Sequence, residues 1–381
     1  MNRSLARLLL DTLCLAPVPG EARLAERWAR PEVAASTRAI TAWIAWERGE
    51  QWLLRRLVDT RAISDAPAAL VESLQLAARI DAKAGLAVDA ESMDVLGMLA
   101  AKQVPCVLLK GPARRAAKGL YPMADARRTS DVDVLVPSAE VESAWRALVS
   151  AGYAPLYPFD RNRARPEESE VWGPSRHHAR PLGRPGRAAV ELHVSTSWQL
   201  SPHIAWERAN RAPSNLVWQG LTVRVPSATE LLWHGLTHAK PSQPASWTLR
   251  FWLDAAAILA AAEVDWATIA ARMATPELAE PDGSREWLAG AAQLAGAELP
   301  EAVAPRRPFP LGRLLAWRLQ VIGRPATGRW REKLLDEGIR HEARLPDAPP
   351  MTSRSLLIRV RRRAATTIAR ATYIGWRTLG G

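Results

Sequence analysis

The chain has 381 residues, of which 48% are hydrophobic and 24% are charged, and this balance excludes a chain that is mainly disordered. Lysine and arginine number 51 against 39 acidic residues, so the net charge of +12 favours anionic partners without choosing among nucleotides, nucleic acid and membrane surfaces. No run of about 18 apolar residues predicts a transmembrane segment. Two distant cysteines, Cys14 and Cys106, exclude a disulfide framework and a cysteine-built zinc site, so we expect a cytoplasmic protein.

The first hundred residues predict a helical region. They are rich in alanine, leucine, arginine and glutamate, and apolar residues recur at helical spacing, as at Leu53, Leu54 and Leu57. Four prolines lie between these stretches, where they begin or end helices. We therefore expect an N-terminal helical region over residues 1–102.

Beyond Val104 the periodicity becomes that of an α/β domain. Apolar and β-branched runs alternate with helical stretches, and the run that ends at Gly111-Pro112 is typical of a buried strand followed by a helix. This order predicts an α/β core over residues 103–226, in which the Pro- and Gly-rich residues 161–186 form a long loop or lid. The predicted strands are residues 104–110, 131–136, 153–157 and 188–196. The predicted helices are residues 114–119 and 138–151, the second capped by Ser138.

The remainder of the chain returns to helical patterning. Residues 227–342 predict a helical C-terminal domain, and residues 343–381 a linker and a basic amphipathic tail helix. That tail is either a solvated surface helix or a weak contact site for an anionic surface. The helices predicted in the C-terminal domain are residues 228–240, 247–262, 266–274, 284–294 and 311–322.

The segment from Ser130 to Val136 carries paired carboxylates. Side chains alternate along a strand, so Asp131 and Asp133 share one face while Val132 and Val134 enter the core. Two adjacent carboxylates repel, and a hard divalent ion such as Mg²⁺ relieves that repulsion. The alternative is a solvated strand end with both acids in water.

A second alternating segment supplies a third carboxylate. Glu191 and His193 share one face of the strand, with Val190 and Leu192 on the other. If this strand neighbours the Asp131 strand, Glu191 completes a carboxylate triad as a metal ligand or general base. Otherwise Glu191 pairs with a nearby arginine.

A candidate phosphate turn precedes the paired aspartates. Gly111 permits close approach of the backbone to a ligand, and Lys110 adds a positive charge. Arg127 and Arg128 could neutralise a triphosphate. We therefore assign Lys110, Gly111, Arg127, Arg128 and Ser130 as candidate nucleotide-binding residues.

Several histidines admit two interpretations. His234 and His238 share a helix face, where they either pack between helices or, with Lys240, line the acceptor or nucleotide pocket. His193 is a further candidate for this pocket. No acidic residue lies between His234 and His238, so the spacing does not predict a zinc protease. His177-His178, in the predicted loop, could touch substrate.

These segments occur together in one order. The segments are Val107-Leu-Leu-Lys-Gly111, Tyr121-Pro122, Arg127-Arg128, Ser130-Asp-Val-Asp-Val-Leu-Val136, Gly152-Tyr153, Glu191-Leu-His193, His234-x-x-x-His238 and Trp252-Leu-Asp254. Over about residues 85–265 the chain resembles the uncharacterised nucleotidyltransferase family, of the DNA polymerase β-like nucleotidyltransferase superfamily. The resemblance implies an α+β fold, with a small mixed β-sheet core flanked by helices.

The resemblance also implies an activity. A nucleoside monophosphate would pass from an NTP, with ATP as the expected donor, to the hydroxyl of a small molecule or protein. Two Mg²⁺ ions, which Mn²⁺ can replace, would serve as cofactors. By position, Asp131, Asp133 and Glu191 would be the catalytic carboxylates and metal ligands.

Two alternatives stay open. The superfamily usually has Gly-Ser at the phosphate turn, where this chain has Lys110-Gly111, so one alternative is a catalytically inactive nucleotide-binding or scaffold protein of the same fold. The other is a basic nucleic-acid-binding protein that uses the net positive charge.

Overall fold

The structure, a computed structural model, describes residues 3–17, 23–117, 127–157, 169–173, 176–197, 200–239, 247–274, 283–322 and 334–335. The predicted tail over 343–381, Tyr121-Pro122, Lys240 and residues 161–168 and 174–175 of the predicted lid lie outside these residues. The helices are α1 (Arg3–Leu13), α2 (Leu24–Trp28), α3 (Pro31–Ala35), α4 (Thr37–Glu47), α5 (Glu50–Asp59), α6 (Ala68–Ala101), α7 (Lys110–Ala116), α8 (Val141–Ser150), α9 (Pro202–Ala209), α10 (Ala228–His238), α11 (Leu249–Ala261), α12 (Trp266–Met273), α13 (Ser284–Ala295) and α14 (Leu311–Ile322). The strands are β1 (Val107–Leu108), β2 (Asp131–Leu135), β3 (Ala154–Pro155), β4 (Leu182–Gly183), β5 (Ala189–His193), β6 (Ser214–Trp218) and β7 (Leu221–Val225). Many helices with a small mixed sheet confirm the α+β class.

The chain divides into two compact units. The first contains the described residues of 1–77, 239–260 and 280–381, and the second those of 78–238 and 261–279. Every residue of the candidate site belongs to the second unit. Among the described helices, none combines the length and the apolarity that a membrane crossing requires.

The first unit is a helical assembly with a tryptophan-rich core. Several large tryptophan side chains bury their rings here and direct the indole N–H to an acceptor, as buried tryptophans usually do. Trp28 donates to the Thr12 hydroxyl at 3.0 Å, and Trp252 donates to the Trp287 carbonyl at 3.0 Å. Packing in the core therefore accounts for many of the 17 tryptophans of the chain, and these need no cofactor site to explain them.

A buried ion pair connects three helices of this unit. Arg318 of α14 donates through Nε to Glu47 Oε1 of α4 at 2.6 Å, and both side chains are completely buried. Glu47 Oε2 accepts the backbone N–H of Leu249, at the start of α11, at 2.7 Å. The carboxylate is therefore neutralised and hydrogen-bonded where water cannot reach it.

The second unit is built on a five-stranded mixed sheet in the order β1-β2-β5-β4-β3. Strands β2 and β5 pair in parallel, whereas the other neighbours are antiparallel. Val132 and Val134 of β2 and Val190 and Leu192 of β5 are buried, as their alternation predicts. The opposite face of the two strands is therefore left for the carboxylates.

Two contacts hold α7 in place within this unit. Arg115 of α7 binds Asp89 of α6 through two hydrogen bonds of 2.6 Å. The backbone N–H of Leu109 donates to the Asp133 carbonyl at 2.9 Å, which attaches the turn before α7 to β2. The start of α7 is thus fixed beside the sheet.

Some predicted boundaries were wrong. Helix α7 begins at Lys110 rather than at residue 114, so the first strand shortens to β1. Helix α8 begins at Val141 after a turn over 137–140, and Ser138 does not cap it; its N-cap is Glu140, whose side chain makes no capping hydrogen bond. Strand β4 lies within the predicted loop 161–186.

Helix α9 and the hairpin of β6 and β7 were not predicted. The hairpin turns at Gln219-Gly220, where both residues have positive φ (+48° and +85°). This is the backbone of a two-residue hairpin turn that matches the twist of the strands.

Candidate active site

The site begins with two carboxylates that face each other across parallel strands. The register of β2 and β5 places Asp133 opposite Glu191. The Asp133 side chain is 1% exposed, whereas that of Glu191 is 24% exposed. One carboxylate is therefore buried and the other is partly exposed to solvent.

Lys110 brings a positive charge to both carboxylates. Its Nζ lies 2.7 Å from Asp133 Oδ1 and 3.5 Å from Glu191 Oε2. The Lys110 backbone has φ of +45°, a left-handed conformation that is costly for a residue other than glycine. This strained backbone stands at the junction of β1 and α7.

His193 closes the cluster from the end of β5. Its Nε2 lies 2.9 Å from Asp133 Oδ1 and 3.3 Å from Glu191 Oε2, and its side chain is buried. Across the described residues, potential ligand atoms of Asp133, Glu191 and His193 all lie within 4.8 Å of one another. The sequence indicated that Glu191 and His193 share a face, but not that His193 contacts both carboxylates.

The pKa values of these groups reflect mutual stabilisation. Burial opposes ionisation of Asp133, but the His193 hydrogen bond and the Lys110 charge hold its pKa below the usual range. The His193 hydrogen bond also lowers the pKa of Glu191. Burial would lower the pKa values of Lys110 and His193, yet their acidic partners raise both. The negative charge of the carboxylates therefore favours the protonated forms of Lys110 and His193.

Asp131 lies on the same face of β2, two residues before Asp133. Burial raises its pKa, and the negative charge of Asp133 raises it further. The Ser130 hydroxyl donates to Asp131 Oδ1 at 3.1 Å. Asp131 is thus electrostatically coupled to the cluster, while its register partner on β5 is Ala189 rather than an acid.

Gly111, the residue after Lys110, packs closely against Arg127 and Thr129. A Cβ at Gly111 would lie 2.7 Å from Arg127 Nη1 and 2.5 Å from Thr129 Cγ2, so only glycine fits here without rearrangement. Arg127 Nη1 also donates to the Thr129 hydroxyl at 3.1 Å. Arg128, by contrast, forms an ion pair with Asp81 at 3.5 Å.

The predicted histidines divide into two groups. His234 is buried, and its ring meets that of His238 edge-on at 6.0 Å between centroids. Burial lowers the pKa of His234 well below its usual value, and the charges of His238 and Lys110 add to this effect. Neutral His234 therefore packs in the same unit as the cluster, which leaves both interpretations of this pair open.

The other group is His177 and His178. Their rings lie 5.9 Å and 5.4 Å from the His193 ring, and His178 forms an isolated β-bridge with His193. Burial lowers the pKa of His177 to about 4 and also lowers that of His178. In the sequence, the adjacent residues His177 and His178 were the signal for these neutral imidazole rings next to His193.

The donor set fits a divalent cation. Asp133 and Glu191 offer carboxylate oxygens, the ligands that suit Mg²⁺ and Mn²⁺, and His193 offers an imidazole nitrogen, a ligand that suits transition-metal ions. Asp133 Oδ2 is buried without a hydrogen-bond partner in the described part of the chain. A buried carboxylate oxygen with no partner is costly unless a cation or donor reaches it.

A family model described as uncharacterised nucleotidyltransferase matches residues 34–289 of the chain. That range is well over half of the chain and includes every residue of the cluster. The chain is a member of this uncharacterised nucleotidyltransferase family. A comparison with curated proteins found no match.

Membership of the nucleotidyltransferase family confirms the resemblance and extends it on both sides of residues 85–265. The family supports a role in nucleotidyl transfer for this chain. The matched range includes the strand pair on which Asp133 and Glu191 face each other.

Proposed function

We propose that this nucleotidyltransferase moves a nucleoside monophosphate from an NTP, with ATP as the expected donor, to the hydroxyl of an acceptor. The observation that carries the proposal is the convergence of Asp133, Glu191 and His193 on one point beside a lysine. Carboxylates held this close remain ionised only next to cations. Nucleotidyl transfer requires this combination of ionised carboxylates and positive charge.

Divalent metal ions belong to this proposal. Asp133 and Glu191 would hold them, with Asp131 adjacent on β2 and Mg²⁺ as the expected ion. Such ions, when bound, favour ionisation of the attacking hydroxyl and neutralise charge on the phosphates.

Glu191 is the group we assign to the acceptor's proton. It is the more accessible of the two facing carboxylates, and its lowered pKa keeps it ionised and able to accept a hydrogen bond from a hydroxyl. His193 orients this carboxylate through the 3.3 Å contact. In the reaction, the acceptor oxygen bonds to the α-phosphorus, the bond to the β-phosphate oxygen breaks, and pyrophosphate leaves.

Lys110 and Arg127 are assigned to the triphosphate. Lys110 is partly exposed at the start of α7. Gly111 follows it in the chain, and the Arg127 side chain lies against Gly111. Both cations would neutralise the negative charge that accumulates on the leaving pyrophosphate. Arg128 is half exposed and forms an ion pair with Asp81. It could bind the triphosphate only if that ion pair broke.

Label transfer tests the proposal. The purified full chain, given NTPs labelled at the α-phosphate with Mg²⁺ or Mn²⁺ and a panel of hydroxyl-bearing acceptors, should label itself or an acceptor and release pyrophosphate. Asp131→Asn combined with Asp133→Asn should abolish the transfer, whereas Glu263→Gln, an exposed carboxylate elsewhere, should not. Transfer that survives loss of both aspartates would refute the mechanism.

One observation favours a second candidate function. The Lys110 ammonium already neutralises Asp133 and Glu191, so the cluster can be held together by the chain itself. A catalytically inactive nucleotide-binding protein would use the same fold in this way. NTP binding without turnover across the acceptor panel would support this candidate.

A further inference from the structure

The Lys110 ammonium stands among the atoms that would bind a metal ion. Its Nζ is 2.7 Å from Asp133 Oδ1, 3.5 Å from Glu191 Oε2 and 3.5 Å from His193 Nε2. These three atoms belong to the three residues whose potential ligand atoms lie within 4.8 Å of one another. The ammonium thus uses the position and the charge that a divalent cation would use.

A divalent cation and this ammonium cannot share the position. Mg²⁺ binds carboxylate oxygens at about 2.0–2.1 Å, so an ion on Asp133 Oδ1 would lie within a few ångströms of a second positive charge. Repulsion at that distance in a buried site is large compared with thermal energy. An ion that binds the three atoms contacted by Lys110 therefore takes the place of the ammonium.

We propose that Lys110 is a built-in counter-ion that a divalent cation displaces, and that the released ammonium then binds the triphosphate. This inference rests on the proposed function, because it assumes that the site takes a divalent ion. The lysine side chain reaches the cluster on a flexible four-carbon stem and is 20% exposed, so its ammonium can leave towards solvent.

Displacement has a thermodynamic consequence. Before the ion binds, Lys110 is held by the carboxylates and is a poor partner for phosphate. After the ion binds, the ammonium is released beside Gly111 and Arg127, where phosphate groups would lie. Metal ion and nucleotide should therefore each strengthen the binding of the other.

The lysine side chain itself reports the displacement. The chain contains only six lysines, so the ammonium signals of ¹⁵N-lysine-labelled protein are few, and the Lys110 signal can be assigned by its loss in Lys110→Arg. In the wild-type protein this signal should be protected from solvent exchange without Mg²⁺. It should lose that protection when MgCl₂ is added, and a signal unchanged by saturating Mg²⁺ would overturn the proposal.

Calorimetry with MgCl₂ provides the second readout. Lys110→Met should bind Mg²⁺ at least about tenfold more tightly than the wild type, because no internal cation has to be displaced. Lys102→Met removes an exposed positive charge and should bind Mg²⁺ like the wild type. A non-hydrolysable NTP analogue should tighten Mg²⁺ binding in the wild type and much less in Lys110→Met.

Equal Mg²⁺ affinity in the wild type and Lys110→Met would also contradict the proposal, as would an absence of Mg²⁺ binding. Failure of the proposed function is a different result. In that case Mg²⁺ would displace the Lys110 ammonium, but no acceptor would receive label. Failure of the displacement alone would leave Asp133-dependent label transfer with an unchanged Lys110 signal.

Discussion

Asp133 of β2 and Glu191 of β5 are register partners in a parallel strand pair, and a single lysine contacts both carboxylates. The parallel arrangement places the two side chains on one face at the same level of the sheet. Neighbouring hydrophobic residues on the opposite face fix both strands in the core. The acids are thus held in place by the packing beneath them.

The first prediction separates the two carboxylates. Asp133→Asn should lower the rate of label transfer by at least about a thousandfold, because it removes the buried carboxylate that joins Lys110 and His193. Glu191→Gln should lower the rate by roughly a hundredfold, as expected for loss of a general base. Steady-state rates with a labelled NTP measure both effects, and equal, small losses would contradict these roles.

The second prediction concerns Gly111. Gly111→Ala should destabilise the protein by about 1–3 kcal/mol, because the new methyl group would overlap Thr129 and Arg127. Adding Thr129→Ala should recover part of this loss. Gly97→Ala is the matched control: a Cβ there meets nothing within 4 Å, so this helical substitution should not destabilise. Urea unfolding measures all four proteins.

The third prediction concerns the buried ion pair of the first unit. Arg318→Met should lower the free energy of unfolding by about 3–5 kcal/mol, because it leaves the Glu47 carboxylate buried without its cation. Glu47→Gln combined with Arg318→Met should be less harmful than Arg318→Met alone. Arg146→Met, which removes an exposed partner of Glu142, should cost no more than about 1 kcal/mol. Similar losses from the buried and exposed substitutions would show that burial is not decisive.

The fourth prediction concerns pH. Burial lowers the pKa of His177 to about 4, so between roughly pH 6.5 and 4 the unfolded chain binds a proton that the folded chain does not. The stabilisation from neutral His177 is therefore complete above that window and is lost as the pH falls through it. His177→Gln should reduce the loss of stability between pH 7 and pH 4.5, measured by urea unfolding. His203→Gln, at an exposed position, should leave the pH profile of the wild type unchanged.

Much of the site followed from strand alternation. The alternation of apolar and acidic residues along β2 and β5 identified both strands and the face that each carboxylate occupies. Alternation does not specify which strands become neighbours. The pairing of Asp133 with Glu191 depends on a sheet register set by tertiary packing, so it required the structure.

Other features carried weak local signals. The left-handed backbone of Lys110 is unusual for lysine, and nothing in the neighbouring residues indicates it. The hairpin at Gln219-Gly220 has glycine at only one of its two positive-φ positions, which weakens the usual turn signature. Ser138 has the chemistry of a cap, but the turn over 137–140 delays the helix to Val141.

Anomalous diffraction from crystals of the full chain with Mn²⁺ and a non-hydrolysable NTP tests the central claim most directly. The account predicts an anomalous peak at coordination distance, about 2.0–2.6 Å, from carboxylate oxygens of both Asp133 and Glu191, with the α-phosphate of the nucleotide beside it. A bound nucleotide with no anomalous peak at these carboxylates, or with the peak at another part of the protein, would contradict it.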